Sequence, residues 1–140
     1  MKKLFFVVAV IFMAVTSCKS DNVPEAVNKA FQNKFPNATN AKWDKENAHE
    51  FEADFVWNGA KYSANFSDTG EWLETESTIS FNQLPEKVQK AFNNSYPGAN
   101  VKAVAKIETS KSTTKYEVEI KQSIKNKEVL YIEDGIEIKE

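Results

Sequence analysis

The sequence contains few of the residues on which most catalytic and nucleic-acid-binding sites depend. Its 140 residues include one cysteine, Cys18, one histidine, His49, and no arginine. Nucleophilic catalysis needs a Ser, Cys or Thr beside a base, and a zinc site needs three or four Cys, His or carboxylate ligands. We therefore predict a protein that is not an enzyme and has no metal or other cofactor. Without the arginine fork that suits phosphate and base recognition, and with an acidic balance, we expect no nucleic acid partner.

Long apolar runs are equally scarce, and the one that occurs is at the start of the chain. Lys2 and Lys3 precede the twelve residues LFFVVAVIFMAV, which are followed by small residues. A basic start, an apolar run of about 7–15 residues and small residues at its end are typical of a secretory signal peptide. A membrane-spanning helix needs roughly 20 apolar residues. The sequence therefore predicts a signal peptide over residues 1–17.

The end of this segment, Val15-Thr16-Ser17-Cys18, resembles the lipobox of bacterial lipoproteins. The resemblance implies cleavage before Cys18, lipidation of its thiol, a linker over residues 18–22 and attachment to a membrane of the cell envelope. Ordinary cleavage beside an incidental cysteine is the alternative. Removal of residues 1–17 leaves 123 residues, a net charge of 16 − 20 = −4 and no second cysteine for a disulfide.

One segment occurs twice. PEAVNKAFQNKFPNA at 24–38 returns as PEKVQKAFNNSYPGA at 85–99, and nine of the sixteen aligned positions from Val23/Leu84 to Ala38/Ala99 are identical. Apolar residues fall at i, i+4, i+7, i+8 and i+12 in both copies, which is one stripe along a helix. A proline at the first helical position starts each helix and another proline stops it. The sequence predicts two repeats, 23–81 and 84–140.

Strand patterns follow each helix. HEFEADFVW alternates apolar and acidic residues, and Asn58-Gly59 then gives a strong two-residue hairpin signal. TKYEVEI and EVLYIEDGIEI match these elements in the second half, and VKAVAKI supplies an earlier strand. Strict alternation in VKAVAKI predicts that Ala103, Ala105 and Ile107 point into the core and Val104 away from it. These patterns predict one helix and four antiparallel strands in each half.

The two halves predict an α+β fold with one eight-stranded antiparallel sheet and two helices on one face. A half of about 60 residues buries too little surface to be stable alone, whereas two halves sharing one sheet double the core. We expect residues 23–140 to form a single domain.

The motifs LP-E-x-V-x-K-A-F…YP-G-A (84–99) and F-S-D-T-G-E-W-L (66–73) make the chain similar to the PepSY-like, β-lactamase-inhibitor-protein-like family of Bacteroidetes lipoproteins. The resemblance covers nearly all of residues 23–140. It implies the fold most directly. For function it implies binding through the open face of the sheet, without any inhibitory residue that carries over.

Two features mark a candidate binding face. The first is a group of carboxylates that alternation places away from the helices: Glu52, Asp54, Glu74, Glu76, Glu117 and Glu119. These carboxylates have two interpretations. They form either a patch that binds a basic partner or a solvated face that only keeps the protein soluble. The second is Trp72. A two-residue turn at Thr69-Gly70 pairs Phe66 with Leu73 and exposes Trp72, whereas a bulge would bury it.

These features predict a non-catalytic lipoprotein of the cell envelope that binds a protein or peptide through its open sheet face, as an inhibitor of a peptidase or another hydrolase. One alternative is a structural or accessory lipoprotein of an envelope complex. Another is a sensor of a small ligand or a cation.

Overall fold

The structure, a computed structural model, describes residues 23–122 and 125–139. These residues form two α-helices, one 3-10 turn (Phe81–Gln83) and one sheet whose eight strands are all antiparallel and lie in chain order. The elements are α1 (Glu25–Lys34), β1 (Thr39–Asn47), β2 (Glu50–Trp57), β3 (Ala60–Ser67), β4 (Trp72–Thr78), α2 (Glu86–Ser95), β5 (Val101–Thr109), β6 (Thr114–Lys121), β7 (Asn126–Ile132) and β8 (Glu137–Ile138).

The two helices start and stop at the prolines of the repeated segment. Pro24 and Pro85 each lie immediately before the first helical residue, with φ near −55° and −53°, one position earlier than the sequence predicted. Each helix ends one residue before Phe35 or Tyr96, and a proline follows that residue. A residue before proline disfavours the helical conformation, so the helix cannot continue through it.

Both helices pack on the same face of the sheet, which confirms the predicted fold class. Around α1 the core contains Val27, Phe31, Phe35, Phe51, Ala53, Phe55, Ala64 and Phe66. Around α2 it contains Leu84, Val88, Phe92, Val104, Tyr116, Val118, Ile120, Val129 and Tyr131. Strands β4 and β5 join the two halves into one continuous sheet through five registered pairs, from Glu74–Thr109 to Thr78–Ala105.

A turn glycine in each half approaches the first turn of the helix. Gly70 has φ +87°, and a Cβ built on it would lie 2.7 Å from the carbonyl oxygen of Ala26 in α1. Gly135 has φ +80°, and its Cβ would lie 2.5 Å from the carbonyl oxygen of Lys87 in α2. Only glycine fits a left-handed conformation at such a close approach. The last hairpin of each half is therefore packed directly against the start of its helix.

The predicted orientation of strand β5 is wrong. Val101 pairs with Ile120 and Ala103 pairs with Glu119, so Lys102 is an extra residue in the β5 ladder. A bulge of one residue exchanges the two faces beyond it. Val104 consequently points into the core around α2. Ala103, Ala105 and Ile107 lie on the opposite face, together with their ladder partners on β6.

A second bulge settles the register of strand β4. Asn65 pairs with Glu74 and Phe66 pairs with Trp72, so Leu73 is the extra residue. The sequence was compatible with two registers, and the structure has the one with the bulge. The alternative, a two-residue turn that pairs Phe66 with Leu73, is wrong.

In the part of the chain that the structure describes, no helix is long and apolar enough to cross a membrane. Cys18 and the predicted signal peptide lie outside the described residues.

Candidate binding face

The open face is the side of the sheet opposite α1 and α2. Its side chains form rows that run across the strands, because each antiparallel pair places the same-face residues directly opposite each other. The central row crosses six strands in unbroken register: Asp54, Ser63, Glu76, Ile107, Lys115 and Ile132. Within the described residues, no helix covers this row.

The six predicted carboxylates all lie on the open face. Glu52 shares a row with Asn65 and Glu74, and Asp54 shares the central row with Glu76. Glu117 lies between Ala105 and Leu130, and Glu119 lies between Ala103 and Glu128. The structure therefore brings together these side chains of strands β2, β4 and β6, which the sequence only placed on alternating positions.

Trp72 does not belong to this group. It is partly buried against the core around α1, and its Nε1 donates a hydrogen bond of 2.9 Å to Oγ1 of Thr75. The ammonium of Lys34, at the end of α1, lies 3.4 Å from the centroid of the Trp72 ring, in the position of a cation–π contact. Trp72 thus stabilises the helix-covered side, and its inclusion in the candidate binding face is wrong.

Crowding of carboxylates on strands β2 and β4 shifts their protonation. Partial burial, reinforced by neighbouring Asp54 and Glu46, raises the pKa of Glu52 to about 8. Burial, followed by repulsion from Glu74, Asp54 and Glu128, raises the pKa of Glu76 to about 7. The pKa of Asp54 is also raised, first by burial and then by Asp44. Glu52 and Glu76 therefore tend to keep their protons near neutral pH, and a nearby cation would favour their ionised forms.

The carboxylates of strand β6 are buried more deeply. Glu117 is 7% exposed and Glu119 is 5% exposed. Glu119 accepts a hydrogen bond from Nδ2 of Asn126 on the neighbouring strand, and Glu117 also has a partner. Burial of a charged group is tolerated when it is paired in this way. These two side chains are packed among their neighbours in the second half of the open face, so they present little surface to a partner.

Apolar residues make up much of the open face on strands β5 and β7. Ala105 and Ile107 are buried, although neither belongs to the core around α1 or α2, and half-buried Leu130 and Ile132 are close by in the same rows. Sequence reasoning missed this area because it assigned Ala105 and Ile107 to the helix-covered core. The run Val129-Leu130-Tyr131-Ile132 carried the signal, since consecutive apolar residues indicate a strand with apolar side chains on both faces.

The described residues include no cluster of side chains typical of a metal centre. Within 23–122 and 125–139, no group of three His, Cys, Asp or Glu side chains is placed to hold a metal ion. His49 lies in the turn between β1 and β2, where its Nδ1 is 2.8 Å from Oδ2 of Asp68 at the surface. This pair connects the first turn of the sheet to the turn before β4.

The fold and its open face define a class of small α+β proteins built from two helix-plus-four-strand halves. The model of the family described as "Putative beta-lactamase-inhibitor-like, PepSY-like" matches residues 13–56 and 49–139. The chain therefore belongs to this PepSY-like family. None of the curated proteins matches it.

Two solved structures show the same fold. A BLIP-like protein from Bacteroides fragilis is 29% identical, with a TM-score of 0.70, and the match covers 84% of this chain and 84% of that one. A protein from Bacteroides eggerthii, described as "putative periplasmic", is 20% identical with a TM-score of 0.77, and the match covers 84% of this chain and 87% of that one.

Proposed function

We propose that this protein is a non-catalytic binding protein of the cell envelope, and that it engages another protein through the open face of its sheet. The observation that carries the proposal is the contrast between the two sides of the sheet. Two helices cover one side, whereas the other carries a continuous six-strand row that no described helix covers. A broad, preformed surface of this kind suits recognition by shape and charge complementarity.

The expected location follows from the start of the chain and from the relatives. The apolar run and the Val15–Cys18 motif favour export and a lipid anchor on Cys18, and a related structure is described as that of a "putative periplasmic" protein. The fold begins at Val23, five residues after Cys18, so the anchor would hold the domain within roughly 20 Å of the membrane surface at full extension. The partner would then be an envelope protein within that reach.

Inhibition of a hydrolase is the form of binding that the family description and the BLIP-like relative favour. An inhibitor needs only complementarity to its target, which agrees with a broad open face that is rich in charge. An accessory role in an envelope complex would use the same surface and leave the turnover of the partner unchanged.

Affinity capture from an envelope extract tests the proposal. The bait would be lipid-free 19–140, compared with a Glu52→Lys/Glu76→Lys variant of the open face. The matched control is Glu25→Lys/Glu86→Lys, which makes the same change of charge at the exposed first turns of the two helices. We expect a discrete protein to be captured by the parent and the control and lost with the open-face variant.

Equal capture by all three baits would overturn the proposal, provided that circular dichroism shows an unchanged fold. The captured protein would next be assayed with and without the bait. Loss of its turnover would establish inhibition, whereas unchanged turnover would establish an accessory role.

A further inference from the structure

The open face changes its chemistry from one half of the sheet to the other. On strands β2–β4 it carries five carboxyl groups and one lysine, a formal charge of 1 − 5 = −4 when all of them are ionised: Glu50, Glu52, Asp54, Glu74, Glu76 and Lys61. We call this area the acidic half. Its carboxylates are crowded, and Asp54 together with Glu46 on strand β1 adds to the effect of burial in raising the pKa of Glu52.

The open face of strands β5–β7 is nearly balanced in charge, with apolar side chains on β5 and β7 and charged side chains on β6 between them. Two lysines, Lys115 and Lys121, are close to three glutamates, a formal charge of 2 − 3 = −1: Glu117, Glu119 and Glu128. Ala105 and Ile107 on β5 are buried, and Leu130 and Ile132 on β7 are half-buried in the same rows, beyond Glu117 and Lys115 of β6. We call this area the apolar half. A partner could reach Leu130 and Ile132 directly.

The two halves meet within a single row. Glu76 on β4 is paired with Ile107 on β5, so the change from acidic to apolar occurs between neighbouring side chains. From Asp54 on β2 to Ile132 on β7 the row crosses five strand spacings, at most roughly 24 Å at about 4.8 Å each. An extended segment of about eight residues covers that distance.

We infer that the partner lays an extended segment across the strands, with lysine or arginine side chains over the acidic half and apolar side chains over the apolar half. This inference rests on the proposed function and specifies the chemistry of its partner. Cations on the partner would relieve the repulsion among the carboxylates of β2 and β4, and its apolar side chains would cover Leu130 and Ile132. A uniformly acidic or uniformly polar segment would gain neither contact.

Two synthetic peptides of one composition test the arrangement. The block peptide Lys-Ser-Lys-Ser-Lys-Ser-Leu-Ser-Leu separates its cations from its apolar residues, and the mixed peptide Lys-Ser-Leu-Ser-Lys-Ser-Leu-Ser-Lys interleaves them. In both peptides every lysine and leucine occupies an odd position, so that all of them point to the same face of an extended segment. Titration calorimetry with 19–140 at low salt would measure both. We expect saturable binding of the block peptide, about fivefold or more tighter than that of the mixed peptide, a difference of about 1 kcal/mol.

Variants on the protein locate the contacts. Glu52→Gln/Glu76→Gln should weaken binding of the block peptide about tenfold, since two charge contacts are lost. Glu25→Gln/Glu86→Gln, with the same loss of charge on the helices, should leave it within about twofold of the parent. Leu130→Ser/Ile132→Ser should also weaken it, because these half-buried side chains would lose their contact with the leucines of the peptide.

Equal affinity for the two peptides, no saturable binding of either, or the same affinity in the parent and the Glu52→Gln/Glu76→Gln variant would each overturn the inference. These results would leave the proposed function standing if the envelope extract still yields a partner that depends on the open face. Failure of that capture would instead remove the proposed function itself.

Discussion

The first half of the fold packs its helix with aromatic rings, whereas the second half packs its helix mainly with aliphatic side chains and tyrosines. Phe31 of α1 has four aromatic neighbours, Phe35, Trp43, Phe55 and Phe66, at centroid distances of 4.9–6.2 Å. Its counterpart Phe92 in α2 has three such neighbours, at 5.4–6.5 Å, and is otherwise surrounded by valines, leucine and isoleucine. The repeat has kept the shape of the core while its chemistry changed.

The prolines before the helices and the turn glycines that contact them are the same in the two halves, whereas the core side chains differ. A proline precedes each helix, and a turn glycine of the last hairpin touches the carbonyl of the second helical residue in both halves. Backbone geometry tolerates few substitutions at such contacts, whereas a core position accepts any apolar side chain of suitable volume. On the open face, β2 and β6 keep carboxylates at the equivalent positions Glu52/Glu117 and Asp54/Glu119.

The largest expected effect tests whether the two cores belong to one cooperative unit. Phe31→Ala and Phe92→Ala should each lower the free energy of unfolding by about 3–5 kcal/mol, because each removes a buried ring at the centre of its core. Urea unfolding followed by fluorescence and circular dichroism would measure this. Gln32→Ala, an exposed neighbour on α1, is the control and should change stability by less than about 0.5 kcal/mol.

Both truncations should leave a single transition, since strands β4 and β5 join the halves in one sheet. Two separate transitions in either variant would show that the halves unfold independently.

The next effect concerns the turn glycines. Gly70→Ala and Gly135→Ala should destabilise the protein by about 1–3 kcal/mol more than Gly59→Ala, because the new methyl group would meet the backbone of the helix. Gly59 has φ +81° with open space around its Cβ position. The stability lost in Gly59→Ala therefore measures only the cost of placing alanine at a positive φ. Thermal unfolding of the three variants would measure the difference. Equal melting temperatures would contradict the role assigned to the helix contacts.

A smaller effect separates Phe66 from its counterpart Tyr131. Both lie four residues before the turn glycine and are almost fully buried, but the hydroxyl of Tyr131 has no hydrogen-bond partner among the described residues. Tyr131→Phe should therefore be neutral or stabilise the protein by up to about 1 kcal/mol, whereas Phe66→Tyr should destabilise it by about 1–3 kcal/mol. Urea unfolding measures both. A clear loss of stability in Tyr131→Phe would show that the hydroxyl is bonded after all.

The smallest effect is the dependence of stability on pH. Glu52 and Glu76 have pKa values raised to about 8 and about 7, so the folded state binds more protons than the unfolded state between about pH 4.5 and these values. Their contribution to stability is present below about pH 4.5 and is lost as the pH rises through 7 and 8. Glu52→Gln/Glu76→Gln should flatten this slope and stabilise the protein at pH 8.5, by about 1 kcal/mol after allowance for solvent screening.

Melting temperatures between pH 5 and pH 8.5 would show this effect. Glu25→Gln/Glu86→Gln should keep the slope of the parent. An unchanged slope in the open-face variant would contradict the crowding inferred for the acidic half.

Much of the fold could be predicted because the residues that determine each element lie within one short segment of the sequence. The repeated helix, its flanking prolines and the hairpin at Asn58-Gly59 each follow from residues within one short segment, and the structure confirms all of them. The open-face position of the six carboxylates also followed from alternation.

The two bulges could not be predicted in the same way. Whether Lys102 and Leu73 are extra residues in their ladders depends on how the strand fits its neighbours and the helix above it. One such residue exchanges the faces of everything beyond it, which is why Trp72, Val104 and Ile107 lie opposite to the simplest alternation. Ala105 and Ile107 were assigned to the wrong face for this reason.

The most direct test of the central claim is site-specific photocrosslinking in intact cells. A benzoyl-phenylalanine would replace Lys61, which is exposed on the open face of β3, and in a second strain it would replace Gln32, which is exposed on α1. The account predicts a discrete crosslinked product with a second protein from position 61 and none from position 32. A product from position 32 alone, or identical products from both positions, would contradict recognition through the open face.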